Sequence, residues 1–338
     1  MIWKPVINWL AIIVLPLIFS CNQEEFKPNS FIEIPNGFPN PDFPSENKFS
    51  NERFLLGRKL FFDPILSRDS SISCASCHRP ELAFTDGKPV SEGIMSRFGT
   101  RNAPSLANVS YHPYLLREGG VPTLEMQVGV PIQEHNEFDE NILVIAEKLN
   151  KQIAYQNMSM AAYNRLPDAF VITRSIATFE RALLSGNAPY DQYINGNLSA
   201  LSNSAKNGLR LFTSETLKCS QCHSGFNFTN YTFQNNGLYE NDPDEGRKRL
   251  TGKEEDRSLF KVPSLRNVSV TFPYMHDGSI QSLEAIVEHY SKGGNANPHK
   301  SELIKGFTLS KQEKIDLVNF LKSLTDTQFL NNSNFKFQ

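Results

Sequence analysis

Two five-residue motifs constrain this chain more than any other feature. Cys74-Ala75-Ser76-Cys77-His78 and Cys219-Ser220-Gln221-Cys222-His223 share the pattern C-x-x-C-H. Two thiols one helical turn apart can each add to a vinyl group of the same porphyrin. The histidine that follows can then offer its imidazole to the iron. A single motif would leave open a thioredoxin-like redox pair or half of a zinc site. Two copies, each with its histidine, favour two covalently attached c-type haems.

The remaining cysteine is accounted for separately. Of five cysteines, four lie in the motifs and the fifth is Cys21, so none is left for a structural disulfide. Upstream of Cys21, Lys4 precedes an apolar run from Val6 to Phe19, interrupted only by Asn8 and Pro16. The run is too short to span a bilayer and has the layout of an export signal. Ile18-Phe19-Ser20-Cys21 resembles a bacterial lipobox, in which the cysteine becomes the lipidated first residue of the mature chain. An ordinary cleaved signal is the alternative. The expectation is a signal peptide at 1–20, lipidation at Cys21 and a Pro/Asn/Glu-rich flexible tether at 21–47. That places the protein in the periplasm on a lipid anchor. The 34 basic and 36 acidic residues nearly cancel, which leaves no electrostatic footprint for nucleic acid.

The motifs sit inside a longer repeat. Gly57-Arg58-Lys59-Leu60-Phe61-Phe62 precedes the first and Gly208-Leu209-Arg210-Leu211-Phe212 the second. Downstream, Ala103-Pro104-Ser105-Leu106-Ala107-Asn108-Val109-Ser110 matches Val262-Pro263-Ser264-Leu265-Arg266-Asn267-Val268-Ser269. Pro113-Tyr114, Glu118-Gly119 and Leu124-Glu125 then match Pro273-Tyr274, Asp277-Gly278 and Leu283-Glu284 in the same order. Apolar residues recur at helical spacing over 142–149, 169–184, 283–290 and 311–324, and no stretch alternates as a strand would. The expected fold is mainly α: two cytochrome c-like helical domains related by internal duplication, at 48–195 and 196–338.

The ordered motifs, together with Leu56-Gly57-Arg58-Lys59-Leu60-Phe61-Phe62-Asp63-Pro64-Ile65-Leu66-Ser67 and Arg101-Asn102-Ala103-Pro104-Ser105-Leu106, make the chain resemble the bacterial di-haem cytochrome c peroxidase and MauG family. The resemblance runs from about Glu52 to Leu324. It implies a first haem that reacts with hydrogen peroxide. The second haem, held by His223, relays electrons from a small donor such as a monohaem cytochrome or a cupredoxin. A homodimer is compatible with it. The segment from Leu124 to Phe138 resembles the family's distal loop, which assigns Glu137 as acid/base and Gln127 as its hydrogen-bonding companion. Alone, Glu137 would be read as a solvated loop carboxylate.

Three departures from the family pattern follow. Where many relatives have a blocking histidine after Ser-x-Gly, this chain has Ser91-Glu92-Gly93-Ile94, which implies an open first iron, with Met95 as the neighbouring residue able to close it. Fourteen residues beyond His276, where peroxidases carry methionine, stands Tyr290, as in MauG-type enzymes. Met275 and His289 are the alternative ligands. Trp3 and Trp9 both precede Cys21, so the family's W-D-G relay tryptophan is replaced by Arg117-Glu118-Gly119, with Tyr114 as a substitute hopping site. The resemblance also implies a calcium ion held by Asn102, Thr271 and Pro273, and haem propionates neutralised by Arg101 and Arg266. His112, His135 and His299 read as surface residues, and His276 as a structural hydrogen-bonding group. Three functions are compatible: peroxide reduction, MauG-like oxidation of an organic or protein substrate, and electron carriage without catalysis.

Overall fold

The computed structural model describes Met1 and residues 31–337. The expected signal segment beyond Met1 and the expected lipidation site Cys21 lie outside the described residues.

The described chain is mainly helical. Its first half contains α1 (Asn51–Phe62), α2 (Cys74–Cys77), α3 (Leu124–Gln127), α4 (Gly129–Gln133), α5 (Ile142–Asn150), α6 (Ile153–Tyr163) and α7 (Ala169–Arg181). There follow α8 (Pro189–Ile194), α9 (Asn203–Phe212), α10 (Cys219–Cys222), α11 (Lys248–Thr251), α12 (Leu283–Ser291), α13 (Lys311–Lys322) and α14 (Thr327–Asn331). A two-residue antiparallel ribbon, β1 (Phe233–Gln234) with β2 (Phe260–Lys261), is the only named sheet among the described residues.

Each half is organised by one helix pair. α1 packs on α7, and α9 packs on α13. All four helices begin with a side-chain cap: Ser50, Asp168, Ser202 and Ser310 accept from the amides of Arg53, Val171, Ala205 and Glu313. The pairs approach closely enough that a Cβ at Gly57 would meet the Ser175 carbonyl. One at Gly208 would likewise meet the Asp316 carbonyl. Beside each contact lies a triangle of phenylalanines. Phe61 and Phe179 are 5.0 Å apart at 54°, and so are Phe212 and Phe320. Phe84 completes the first triangle and Phe228 the second.

The repeated P-S-L-x-N stretches do identical work. Ser105 Oγ donates to the Ala83 carbonyl and Ser264 Oγ to the Asn227 carbonyl, each 2.6–2.7 Å. Asn108 and Asn267 are buried in the left-handed region (φ 61° and 59°). Their amides bond to Leu183 and Leu324, just past α7 and α13. Both side chains also reach Ser185: Asn108 through its backbone and Asn267 through its hydroxyl.

Packing departs from the expected boundaries in three places. The stretch 31–47, expected as a tether, lies on the first core: Ile32 is buried, Phe31 stacks on Phe54 at 4.7 Å, and Asn47 donates to Glu125. Its apolar and aromatic residues bury against the body, which offsets the entropy a polar tether would keep. α8 belongs to the second half rather than the first, because Tyr190 packs on Phe228 and Phe320, and Asp191 pairs with Arg266. The C-terminal residues return to the first core, where Phe329 packs on Phe84 and Phe335 is buried.

Candidate active site

The two C-x-x-C-H motifs each form a single helical turn, α2 and α10, with the histidine as the residue that ends it. All four thiols are free and half-buried. Burial holds them protonated, with Cys77 and Cys219 each pushed up to about 11. No group of three or more His, Cys, Asp or Glu side chains placed to hold a metal ion occurs among the described residues.

The histidines are fixed from behind. His78 Nδ1 lies 2.7 Å from the Phe84 carbonyl oxygen, and His223 Nδ1 lies 3.1 Å from that of Phe228. A carbonyl oxygen only accepts, so Nδ1 carries the proton and Nε2 presents its lone pair. Both acceptors sit in the left-handed region (φ 62° and 50°), a conformation that the phenylalanine triangles hold in place. Both motifs face one cavity of about 940 Å³ that runs between the halves. Paired thiols, an oriented Nε2 and a continuous void fit a covalently attached haem at each motif.

Over the first motif the structure brings together the residues expected there. Gln127, Pro131 and Glu137 line the cavity with Cys74, Cys77 and His78. Gly93 lies against the Asn136 carbonyl, and the Ile94 amide donates to the Glu137 carbonyl at 3.1 Å, so this strand of loop holds Glu137 in place. Burial, reinforced by the nearby charge of Glu134, pushes the Glu137 carboxyl up to about 7. Ile94 is buried, and Met95 turns away: it is 61% exposed, and its sulfur accepts from Arg97 at 3.3 Å. The thioether that could have closed this site therefore lies on the surface.

The second pocket is furnished differently. Tyr290, from α12, lines the cavity near Cys219 and Cys222, and burial pushes its phenol up to about 12. Met275 lines the same space, but its sulfur accepts from Asn236 Nδ2 at 3.0 Å. His289 turns its Nε2 to the Asn236 carbonyl at 3.0 Å and does not reach the cavity. Asn236 thus restrains both alternative ligands.

Between the pockets, several expected roles change. Arg101 is paired with Glu118 at 2.5 Å and Asp244 at 2.6 Å, and Arg266 with Asp191 at 2.5 Å, so neither is free for a propionate. Lys261 faces the cavity with Tyr114 O and His112 Nδ1 as its partners and no carboxylate, and burial lowers it to about 8. His112, read as a surface residue, is instead part of the cavity wall; burial lowers it to about 3 and its Nε2 is buried without a partner. Tyr114 is exposed and lies outside the cavity wall. His276 is buried, stacked on Phe260 at 4.2 Å, with Nε2 3.5 Å from Asp242. His135 lies on the surface, and His299 is half-buried. The expected calcium ligands do not match a free site: the Asn102 carboxamide oxygen already accepts from Arg117 at 2.8 Å.

Glu180 was missed. It is 5% exposed, lines the cavity close to Cys74, and leaves its Oε2 buried without a partner. Burial pushes it up to about 8. The signal was present: position 180 falls on the apolar stripe of α7, four residues after buried Ile176.

Comparison with known proteins agrees with this geometry. Residues 51–199 match the family described as di-haem cytochrome c peroxidase. The chain is 37% identical to the methylamine utilization protein MauG of Methylorubrum extorquens, over 83% of this chain and 80% of that protein. It is 33% identical to the cytochrome c551 peroxidase of Nitrosomonas europaea, over 81% and 80% of the two chains. A crystal structure of a MauG-like protein associated with microbial copper homeostasis covers 90% of this chain and 98% of its own, with a TM-score of 0.86 and 33% identity.

Proposed function

Because the chain belongs to the di-haem cytochrome c peroxidase and MauG family, an enzyme family of di-haem oxidoreductases, we propose that it reduces hydrogen peroxide at its first haem with electrons received through its second. What supports the reading is that Glu137 and Gln127 line the cavity that the first motif also lines, with Glu137 in electrostatic reach of Cys74 and Cys77. An electron carrier needs neither group. In this reading His78 and His223 hold the two irons, and Cys74, Cys77, Cys219 and Cys222 hold the porphyrins. Lys261, on the cavity wall, is one cation available to a propionate.

The bound haem supplies the iron that takes peroxide and the electrons that reduce it. The protein supplies the proton traffic. Glu137, as carboxylate, accepts a proton from one peroxide oxygen and returns it to the other as the O–O bond breaks; Gln127 hydrogen-bonds and orients the oxidant. Two electrons and two protons then convert one hydrogen peroxide into two waters. An apolar, partly closed pocket keeps Glu137 near the pH at which it can both take and give the proton.

Tyr290 favours a second reading, MauG-like oxidation of an organic or protein substrate. An anionic oxygen ligand stabilises oxidised iron, and binding requires the phenol to lose its proton. The periplasmic setting, the lipid anchor at Cys21 and a small redox protein as donor complete the proposal. Electron paramagnetic resonance of the oxidised protein, before and after one equivalent of peroxide, tests it. The expected result is one high-spin centre that reacts and one low-spin centre beside it; two low-spin centres indifferent to peroxide would sink the reading.

A further inference from the structure

A departure from the family pattern, Arg117, meets a residue that keeps to it, Asn102. By sequence, Arg117 stands where relatives carry a tryptophan, and Asn102 stands where they use an amide oxygen to hold calcium. In the structure these residues are bonded to each other. Arg117 Nη2 donates to Asn102 Oδ1 at 2.8 Å and to the Asn102 carbonyl at 2.7 Å, and Nε donates to the same carbonyl at 3.0 Å. Asn102 cannot turn away, because its Nδ2 donates to the Lys88 carbonyl at 2.9 Å and its backbone amide to the His276 carbonyl at 2.8 Å.

Calcium needs oxygen lone pairs at 2.3–2.6 Å and six to eight donors. The resemblance implies backbone carbonyls from Thr271 and Pro273 and a side-chain oxygen from Asn102, and that oxygen is occupied by a cation. A second cation on that oxygen would meet a fixed positive charge with little solvent to screen it. The guanidinium also lacks a carboxylate partner of its own. Three carboxylates act on it from nearby, Asp277, Glu118 and Asp244, and each is hydrogen-bonded elsewhere: Asp277 by Tyr239 and Ser279, the other two by Arg101. Around it the halves are joined directly: Lys261 N donates to the Arg117 carbonyl at 2.7 Å, and Arg247 to the Glu118 carbonyl at 2.9 Å.

We propose that the Arg117 guanidinium is this protein's own interdomain cation, filling from within the chain the position for which the family pattern calls for calcium. Burial lowers Arg117 to about 10, which still leaves it charged at neutral pH. One substitution thus replaces an aromatic relay and a divalent ion by a tethered single charge between the two pockets.

The test uses the full holoprotein. Metal analysis after exchange into chelator-containing buffer is expected to find no stoichiometric calcium. Added calcium is expected to leave both haem spectra and the unfolding temperature unchanged. One tightly held calcium per chain, whose removal alters either spectrum, would overturn the proposal. Arg117→Gln deletes the charge. It is expected to lower the reduction potential of at least one haem by a tenfold change in its electron equilibrium, 59 mV for a one-electron couple, and Arg117→Lys to keep most of it. A glutamine variant with both potentials unmoved, or a lysine variant that falls as far as the glutamine one, would show that the site needs shape rather than charge and overturn the proposal.

Discussion

Below the cavity the two halves match feature by feature; above it they diverge. Each half presents one turn of C-x-x-C, a histidine whose Nδ1 meets a phenylalanine carbonyl, and a triangle of aromatic rings behind that carbonyl. The facing walls share none of this. The first carries Gln127, Pro131 and a carboxyl pushed up to about 7; the second carries a phenol pushed up to about 12 and an asparagine that ties back a methionine. Holding a cofactor constrains a scaffold in the same way twice, whereas turning it to chemistry or to conduction is decided by a few residues on the other side.

The comparison can be broken most forcefully at Glu137. Glu137→Gln keeps the shape of the first pocket and removes its proton carrier. Steady-state peroxide turnover is expected to fall by about 10²–10⁴-fold, with haem content unchanged; a loss of less than a few-fold would mean that the first pocket owes nothing to this carboxyl. Next in size is the shared scaffold. Gly57→Ala and Gly208→Ala each drive a methyl into a helix-packing contact, costing about 1–3 kcal/mol. Denaturant unfolding should show comparable losses at the two sites, and a large inequality would end the claim that the helix pairs are equivalent.

Tyr290→Phe then isolates the second pocket. Its visible spectrum is expected to change at one haem only, with a shift of about tenfold or more in that haem's electron affinity, read by redox titration. Changes at both haems, or at neither, would remove Tyr290 from the iron. The smallest effect concerns protonation. Glu137 must be ionised to take the first proton, so kcat/KM for peroxide should fall as pH drops below about 7 and level off above it. Glu134→Gln removes the like charge that helps raise that value, and should move the midpoint to lower pH by less than one unit, as a pH–rate profile would record.

What the sequence made legible was what repeats. Two copies of a motif and of P-S-L-x-N marked the duplication and the proximal histidines, because each repeat restates the same hydrogen bonds at Ser105 and Ser264, Asn108 and Asn267. The distal residues Glu137 and Gln127 came only from resemblance, since nothing in a lone loop carboxylate reports its burial. Arg101 and Arg266 misled because an arginine's partner is set by tertiary contacts far along the chain, Asp244 and Asp191 here. His112 misled for the same reason: its burial comes from Lys261 and Tyr231, more than a hundred residues away. Phe84 and Phe228 escaped notice because a backbone carbonyl, not a side chain, does their work.

The return of the last residues to the first core has a consequence for how such a chain is made. Phe329 and Phe335 close over Phe84, whose carbonyl steadies His78. These residues lie downstream of both attachment motifs. The first core therefore stays open until a segment beyond the second half has been made, and a product cut short before Thr327 would keep both attachment motifs yet leave an open apolar face for proteases to find. The arrangement ties the first pocket to a segment made after both motifs.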